Sequence, residues 1–244
     1  MQPPFHRLEE FVGLTPSDIN LVRGWAANPR RVARHQPIRR EGDPVNGVFF
    51  LLAGWAASSV ILRDGQRQVI KVHLPGDMLG FPSLVLSSAG ETLEAITDVS
   101  LCPIPNAAIG RLIEHNPRLT AALLLNTQKE RVALMQALTW IGSASALARM
   151  AAFLLDLHDR LDSAGLVIDG TFDFPLTQQF IGDLLGLTAV HVNRTLKRLD
   201  ATGYVDRKKG QITILDFEGL RSVSPNLPPE PAGRAAWSRI GGKA

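Results

Sequence analysis

The 244 residues include a single cysteine, Cys102, and that scarcity excludes much. An intramolecular disulfide cannot form, and no CxxC zinc or redox motif exists. A four-cysteine iron–sulfur cluster cannot be held within one chain. No run of about 18 apolar residues is present, so no membrane span is expected. Residues 1–10 lack the apolar stretch of a signal peptide, which leads us to expect a cytoplasmic protein. Enzyme signatures are missing too. There is no GxSxG, no phosphate loop and no pair of carboxylates at catalytic spacing, and the six histidines form no HxH or HxxxH pair. No catalytic residue, no metal site and no enzymatic activity are expected.

What is present is ordinary globular material, 45% apolar and 20% charged. The length suits one large domain or two small ones. The net charge of +3, from 26 basic and 23 acidic residues, says little as a total. Its distribution says more. Residues 143–222 carry 9 basic and 10 acidic residues. Within that block six acids lie between Asp156 and Asp183, and six bases lie between His191 and Gly210. A small domain with one basic end has the footprint of a nucleic-acid binder, although a solvated helix face and a charged turn would look the same.

The texture divides the chain. Residues 15–28 predict a short helix opened by Thr15-Pro16. From Arg34 to Ile104 short β-rich runs alternate with Gly, Pro and Asp: Gly47–Leu52, Ala56–Leu62, Gln68–Leu74 and Glu94–Ile104. Asp64-Gly65 between two of them is a hairpin signal. Many short strands predict a β-sandwich or roll. Ala107–His115 predicts a helix. Pro117–Ile141 predicts one of about seven turns, with Leu124, Arg131, Leu134, Leu138 and Ile141 recurring at helical spacings. A helix that long needs a partner along its length, and we read it as pairing two copies of the chain, with Gly142 ending it. The Pro- and Gly-rich residues 223–244 predict a mobile tail.

Residues 177–203 read TQQFIGDLLGLTAVHVNRTLKRLDATG. Thr177 suits the cap of a short helix, Gly186-Leu187 a tight turn, and Thr188 the cap of a second helix that Gly203 ends. This is helix-turn-helix spacing. At 100° per residue Val192, Leu196 and Leu199 share the inner face of the second helix. Val190, Asn193, Arg194, Lys197 and Arg198 share the outer one. An arginine can fork onto guanine, and a small apolar side chain can meet a thymine methyl. Tyr204–Asp216 then alternates as a hairpin with Arg207-Lys208-Lys209-Gly210 at its tip, placed as a wing to touch phosphates. The expected DNA-binding residues are Thr188, Ala189, Val190, His191, Asn193, Arg194, Lys197, Arg198, Lys208 and Lys209.

On these residues the chain resembles the Crp/Fnr superfamily of bacterial transcription regulators. The likeness includes Glu41-Gly42-Asp43, Val48–Leu52, Gly54 and Pro75–Gly80 in the first half. In the second it includes Ile181–Leu187 and Val192–Leu199. The resemblance implies an α+β chain. A cyclic-nucleotide-binding-type β-roll (jelly roll) would span 1–115, a long dimerisation helix 116–142, and a C-terminal winged helix-turn-helix 143–222. It implies a homodimer on double-stranded DNA at a near-palindromic promoter site, with RNA polymerase as a further partner. Arg194 matches the family's base-reading arginine, and His191 takes a place near the phosphates. Val190 stands where many members carry glutamate.

The sensor positions depart from the family. Phe81 replaces the glutamate that the resemblance implies for a ribose. The phosphate-arginine position falls at Ala89-Gly90-Glu91, which holds no base, and Leu134-Met135 replaces a purine-reading Thr-Ser pair. Phe81, Leu134 and Met135 therefore mark an effector pocket not built for the usual cyclic AMP, and a lone Cys102 does not make an iron–sulfur sensor. No cofactor is expected. A regulatory module that acts through a protein partner, with vestigial DNA binding, is the rival reading. The basic wing argues against it.

Overall fold

The computed structural model describes residues 4–225 and 231–240, which fall into two compact units. The first takes the residues up to Ile61, Ile70–Val132 and the stretch from Glu230; the second takes Leu62–Val69 and Ala133–Pro229. The expected boundaries at 115 and 142 thus differ from the division observed, in which α4 (Pro117–Ser143) contributes to both units.

The first unit opens with α1 (His6–Glu9) and α2 (Pro16–Trp25). A reciprocal cap starts α2: Thr15 Oγ1 accepts from the Asp18 amide at 3.2 Å, and the Asp18 carboxylate accepts from the Thr15 amide at 2.9 Å. Two antiparallel sheets follow. One has the order β1 (Arg30–Val32), β8 (Val99–Pro105), β3 (Gly47–Ala53), β6 (Met78–Leu79). The other has the order β2 (Pro37–Arg39), β7 (Thr92–Ala95), β4 (Ala56–Ile61), β5 (Arg67–His73). The turn at Asp64-Gly65 joins β4 to β5, closed by the Leu62 amide donating to Gln66 O at 2.8 Å. Phe50 and Leu51 of β3 are both fully buried, so this strand packs on both faces, each side chain contributing about 1.5–3 kcal/mol. Cys102, opposite Phe50 in the β3–β8 ladder, is equally buried.

One expected strand is two. Glu94–Ile104 breaks at Ile96–Asp98, because the Ile96 and Thr97 amides both turn to Trp55 O, at 2.8 and 3.3 Å. The break sends β7 to one sheet and β8 to the other. A 3-10 turn over Phe81–Val85 and α3 (Asn106–His115) complete the roll. Gly142 does not end α4, which runs on to Ser143; nothing crowds the glycine, and the Ser143 hydroxyl donates to Thr139 O at 2.8 Å.

The expected mobile tail also needs correction. Val223 ends α8 (Phe217–Val223), and Arg234–Arg239 form α9, whose Ala236 and Trp237 pack against the first unit's core. Trp237 is half-buried there, and covering part of an indole favours order over a free chain end. Residues 226–230 and 241–244 of that stretch lie outside the described residues.

The second unit is built on α5 (Ala146–Ser163), opened by Ser145, whose hydroxyl accepts from the Ala148 amide at 3.2 Å. Met150, Leu154, Leu157 and Leu161 form its buried stripe. Against it pack α6 (Gln178–Leu185), α7 (Ala189–Ala201) and α8. The wing is a three-stranded sheet of order β10 (Val205–Lys208), β11 (Gln211–Ile214), β9 (Thr171–Asp173), one strand more than the predicted hairpin.

Candidate functional site: the nucleic-acid interface

The α6–α7 pair forms because each helix start has its cap. Thr177 Oγ1 accepts from the Phe180 amide and Thr188 Oγ1 from the His191 amide, both at 3.2 Å. Between them Gly186 adopts the left-handed conformation, φ +65°. Gly182 is required for closeness: a Cβ there would lie 2.5 Å from Leu187 O. Arg149 of α5 donates to Leu185 O at 2.7 Å, so a cation satisfies a carbonyl at the α6 C-terminus.

The faces of α7 fall where the angular reading puts them. Val192, Leu196 and Leu199 are buried, and Thr195 joins them, its hydroxyl donating to His191 O at 2.8 Å. Thr188, His191, Arg194, Lys197 and Arg198 are exposed, and Ala189 and Asn193 are half-buried. Val190 is 76% exposed, an apolar side chain on an otherwise polar surface.

Lys208 and Lys209 are exposed at the wing tip, with the Lys208 ammonium 3.0 Å from Asp206. Arg207, also in the predicted basic tip, is engaged elsewhere. Its Nε donates to both carboxylate oxygens of Asp200, at 2.8 and 2.9 Å. Sequence reading missed this pair, which joins positions seven apart across the end of a helix. An acid at the C-terminus of a basic helix was the available signal.

The sensor positions are more self-contained than the sequence implied. Phe81 is half-buried against the core of the first unit. Leu134 and Met135 are exposed on the part of α4 in the second unit. No base stands at 89–91, yet a cation reaches that region from β2. Buried Arg39 donates to Gly47 O at 3.2 Å and lies against Gly80. Its Nη2 is 3.7 Å from the carboxylate of Glu91, also buried. Burial pushes the Glu91 carboxyl above the usual glutamate range, and Arg39 only partly opposes that rise.

A second charge cluster closes into a ring. Arg7 of α1 meets Asp77 at 3.2 Å and Glu130 of α4 at 3.0 Å. Lys71 of β5 also meets both acids, Asp77 at 3.6 Å and Glu130 more closely. The ring ties α1, β5, the turn before β6 and α4 within the first unit. Cys102 makes no site, since burial pushes its thiol up to about 11 and so disfavours the reactive thiolate. Among the described residues no group of three or more His, Cys, Asp or Glu is placed to hold a metal. No helix there is long and apolar enough to cross a membrane.

Comparison with known proteins agrees with both halves. Residues 29–116 match the cyclic nucleotide-binding domain and residues 148–223 the Crp-like helix-turn-helix domain. The nitrogen fixation regulation protein FixK of Bradyrhizobium diazoefficiens is 33% identical over 180 residues, covering 72% of this chain and 73% of that protein. The anaerobic regulatory protein of Haemophilus influenzae is 27% identical over 207 residues, 85% of this chain and 80% of that one. The structure of FixK2 from Bradyrhizobium japonicum superposes with a TM-score of 0.74 at 26% identity, covering 82% of this chain and 98% of that one. The chain belongs to the Crp/Fnr family, which consists of DNA-binding transcription regulators and not enzymes.

Proposed function

We propose that two copies of this chain bind one near-palindromic promoter site in the cytoplasm, each laying α7 in a major groove. Half-sites about one helical turn apart would then be read by symmetry-related helices. The outer face of α7 carries the reading. Arg194 forks onto a guanine, Val190 meets a thymine methyl, and Asn193 takes an adenine edge or a phosphate. Thr188, Ala189, His191, Lys197 and Arg198 hold the backbone, with Lys208 and Lys209 reaching phosphates from the wing.

Pairing of the copies is assigned to α4. Leu124, Leu134, Met135, Leu138 and Ile141 leave an apolar stripe on it, with Leu138 74% exposed. So many apolar side chains along one helix favour a partner over water. RNA polymerase is the partner expected of a dimer sitting at a promoter.

On the sensor side, cyclic AMP in the usual mode does not fit. The buried cation near the expected phosphate position, Arg39, already faces its own acid, and seating a second anion beside Glu91 would cost several kcal/mol. A four-cysteine cluster does not fit a chain with one cysteine. Selection from a random duplex pool tests the reading. It predicts enriched sites with two-fold symmetry and binding that weakens steeply with salt. A pool that enriches no sequence would favour the rival, a module acting through a protein partner. The exposed basic wing speaks against that rival.

A further inference from the structure

Asp200 is badly placed on electrostatic grounds. It lies in the last turn of α7, where the helix dipole disfavours an acid. It also lies on the element proposed to face a polyanion. Its structural engagement accounts for it. Arg207, on β10, binds its carboxylate in fork geometry through Nε and Nη2. The two side chains are 34% and 26% exposed, so solvent screens the pair only in part.

Arg207 pairs with Ile212 in the β10–β11 ladder, so fixing it fixes the residues that turn the wing, Lys208 to Gly210. The other side of the turn is also held. The Phe174 amide donates to Gly210 O at 2.7 Å, and the Gln211 side chain donates to Asp173 at 3.1 Å. The tip is therefore anchored to α7 from one strand and to the β9 segment from the other.

We propose that Asp200 and Arg207 are a positioning pair for DNA binding. Neither contacts DNA; together they set where Lys208 and Lys209 stand relative to the reading face of α7. This rests on the DNA-binding reading of α7.

Asp200→Asn separates the proposal from simple electrostatics by sign. Removing a negative charge near DNA and freeing Arg207 should tighten binding if charge alone matters. Loss of a positioning pair should weaken it, by about ten-fold for hydrogen bonds to a charged partner. The double variant Asp200→Asn, Arg207→Gln should bind no worse than Arg207→Gln alone, because the two side chains act as one unit. Amide hydrogen exchange on the full chain without DNA supplies an independent readout, with near-wild-type exchange across α5 certifying that each variant is folded. Exchange over Lys208–Gln211 should quicken in Asp200→Asn. Tighter binding by Asp200→Asn, additive losses in the double variant, or unchanged exchange at the tip would each overturn the pair's role. If the wild-type chain selects no DNA at all, the DNA-binding reading fails, and the exchange experiment still decides whether the pair fixes the tip.

Discussion

Gly182→Ala and Gly110→Ala make the same change inside two helices and should have opposite effects. Gly110 is exposed midway along α3, and a Cβ there would meet nothing within 4 Å. Relief of glycine's backbone entropy should stabilise the first unit by about 0.8–1 kcal/mol. Gly182 would gain the same amount, but its new Cβ would sit 2.5 Å from the backbone oxygen of Leu187. Backbone cannot swing aside as a flexible side chain can. The carbonyl must retreat by nearly 1 Å, against the Leu187 amide that donates to Gly182 O at 3.0 Å. Overpacking of this kind costs about 1–3 kcal/mol, and a compromised hydrogen bond adds about 1 kcal/mol. The net expectation is destabilisation by about 1–3 kcal/mol. Urea unfolding followed by circular dichroism reads both variants, and DNA affinity should fall in Gly182→Ala because α6 and α7 move apart. Stabilisation of both variants by similar amounts would refute the close-approach argument, leaving helix propensity as the whole effect.

Further outcomes follow from the same geometry. Leu138→Asp places a charge on the α4 stripe and should weaken self-association by about 3 kcal/mol or more, read by analytical ultracentrifugation; an unchanged dimer would show that α4 pairs elsewhere. Val190→Glu should shift base preference at one step of each half-site toward cytosine or adenine, by about 1–3 kcal/mol in competition binding, and an unaltered preference would remove Val190 from the reading face. Burial raises Glu91's pKa in the folded state, so its contribution is fully present below the ordinary glutamate range and is lost as pH rises through the raised value. The stability of wild type relative to Glu91→Gln should therefore decline as pH rises above the ordinary glutamate range. A difference that stays constant over that rise would show that Glu91 titrates normally.

Local signals in the sequence carried the second unit well. Caps, a turn glycine and a 3.6-residue period specify α6 and α7, and each is a matter of neighbours three or four residues apart. The first unit was legible only as strand-rich. β1, β2 and β6 are two or three residues long, too short for a period to declare itself. The split of Glu94–Ile104 is dictated by Trp55 O, some forty residues away in sequence, which no local pattern records. The same holds for the charges. Arg7 finds Asp77 and Glu130, and Arg39 approaches Glu91, only once the roll has formed. Arg207 reads as a phosphate-binding residue beside Lys208 and Lys209 until Asp200 is brought across the wing. The α9 helix was hidden because Pro- and Gly-rich flanks masked Ala236 and Trp237, whose order comes from a core elsewhere in the chain.

The central claim is that α7 reads DNA through its outer face. The direct measurement is the affinity of wild type and Arg194→Ala for the selected duplex and for a scrambled one, across a range of salt. Arg194 is exposed on the outer face of α7, so the variant should fold and dimerise as wild type does. Specific binding should weaken by about 1–3 kcal/mol, preference should relax at one guanine of each half-site, and scrambled-duplex binding should change far less. Unchanged affinity for the selected duplex in Arg194→Ala would contradict the account.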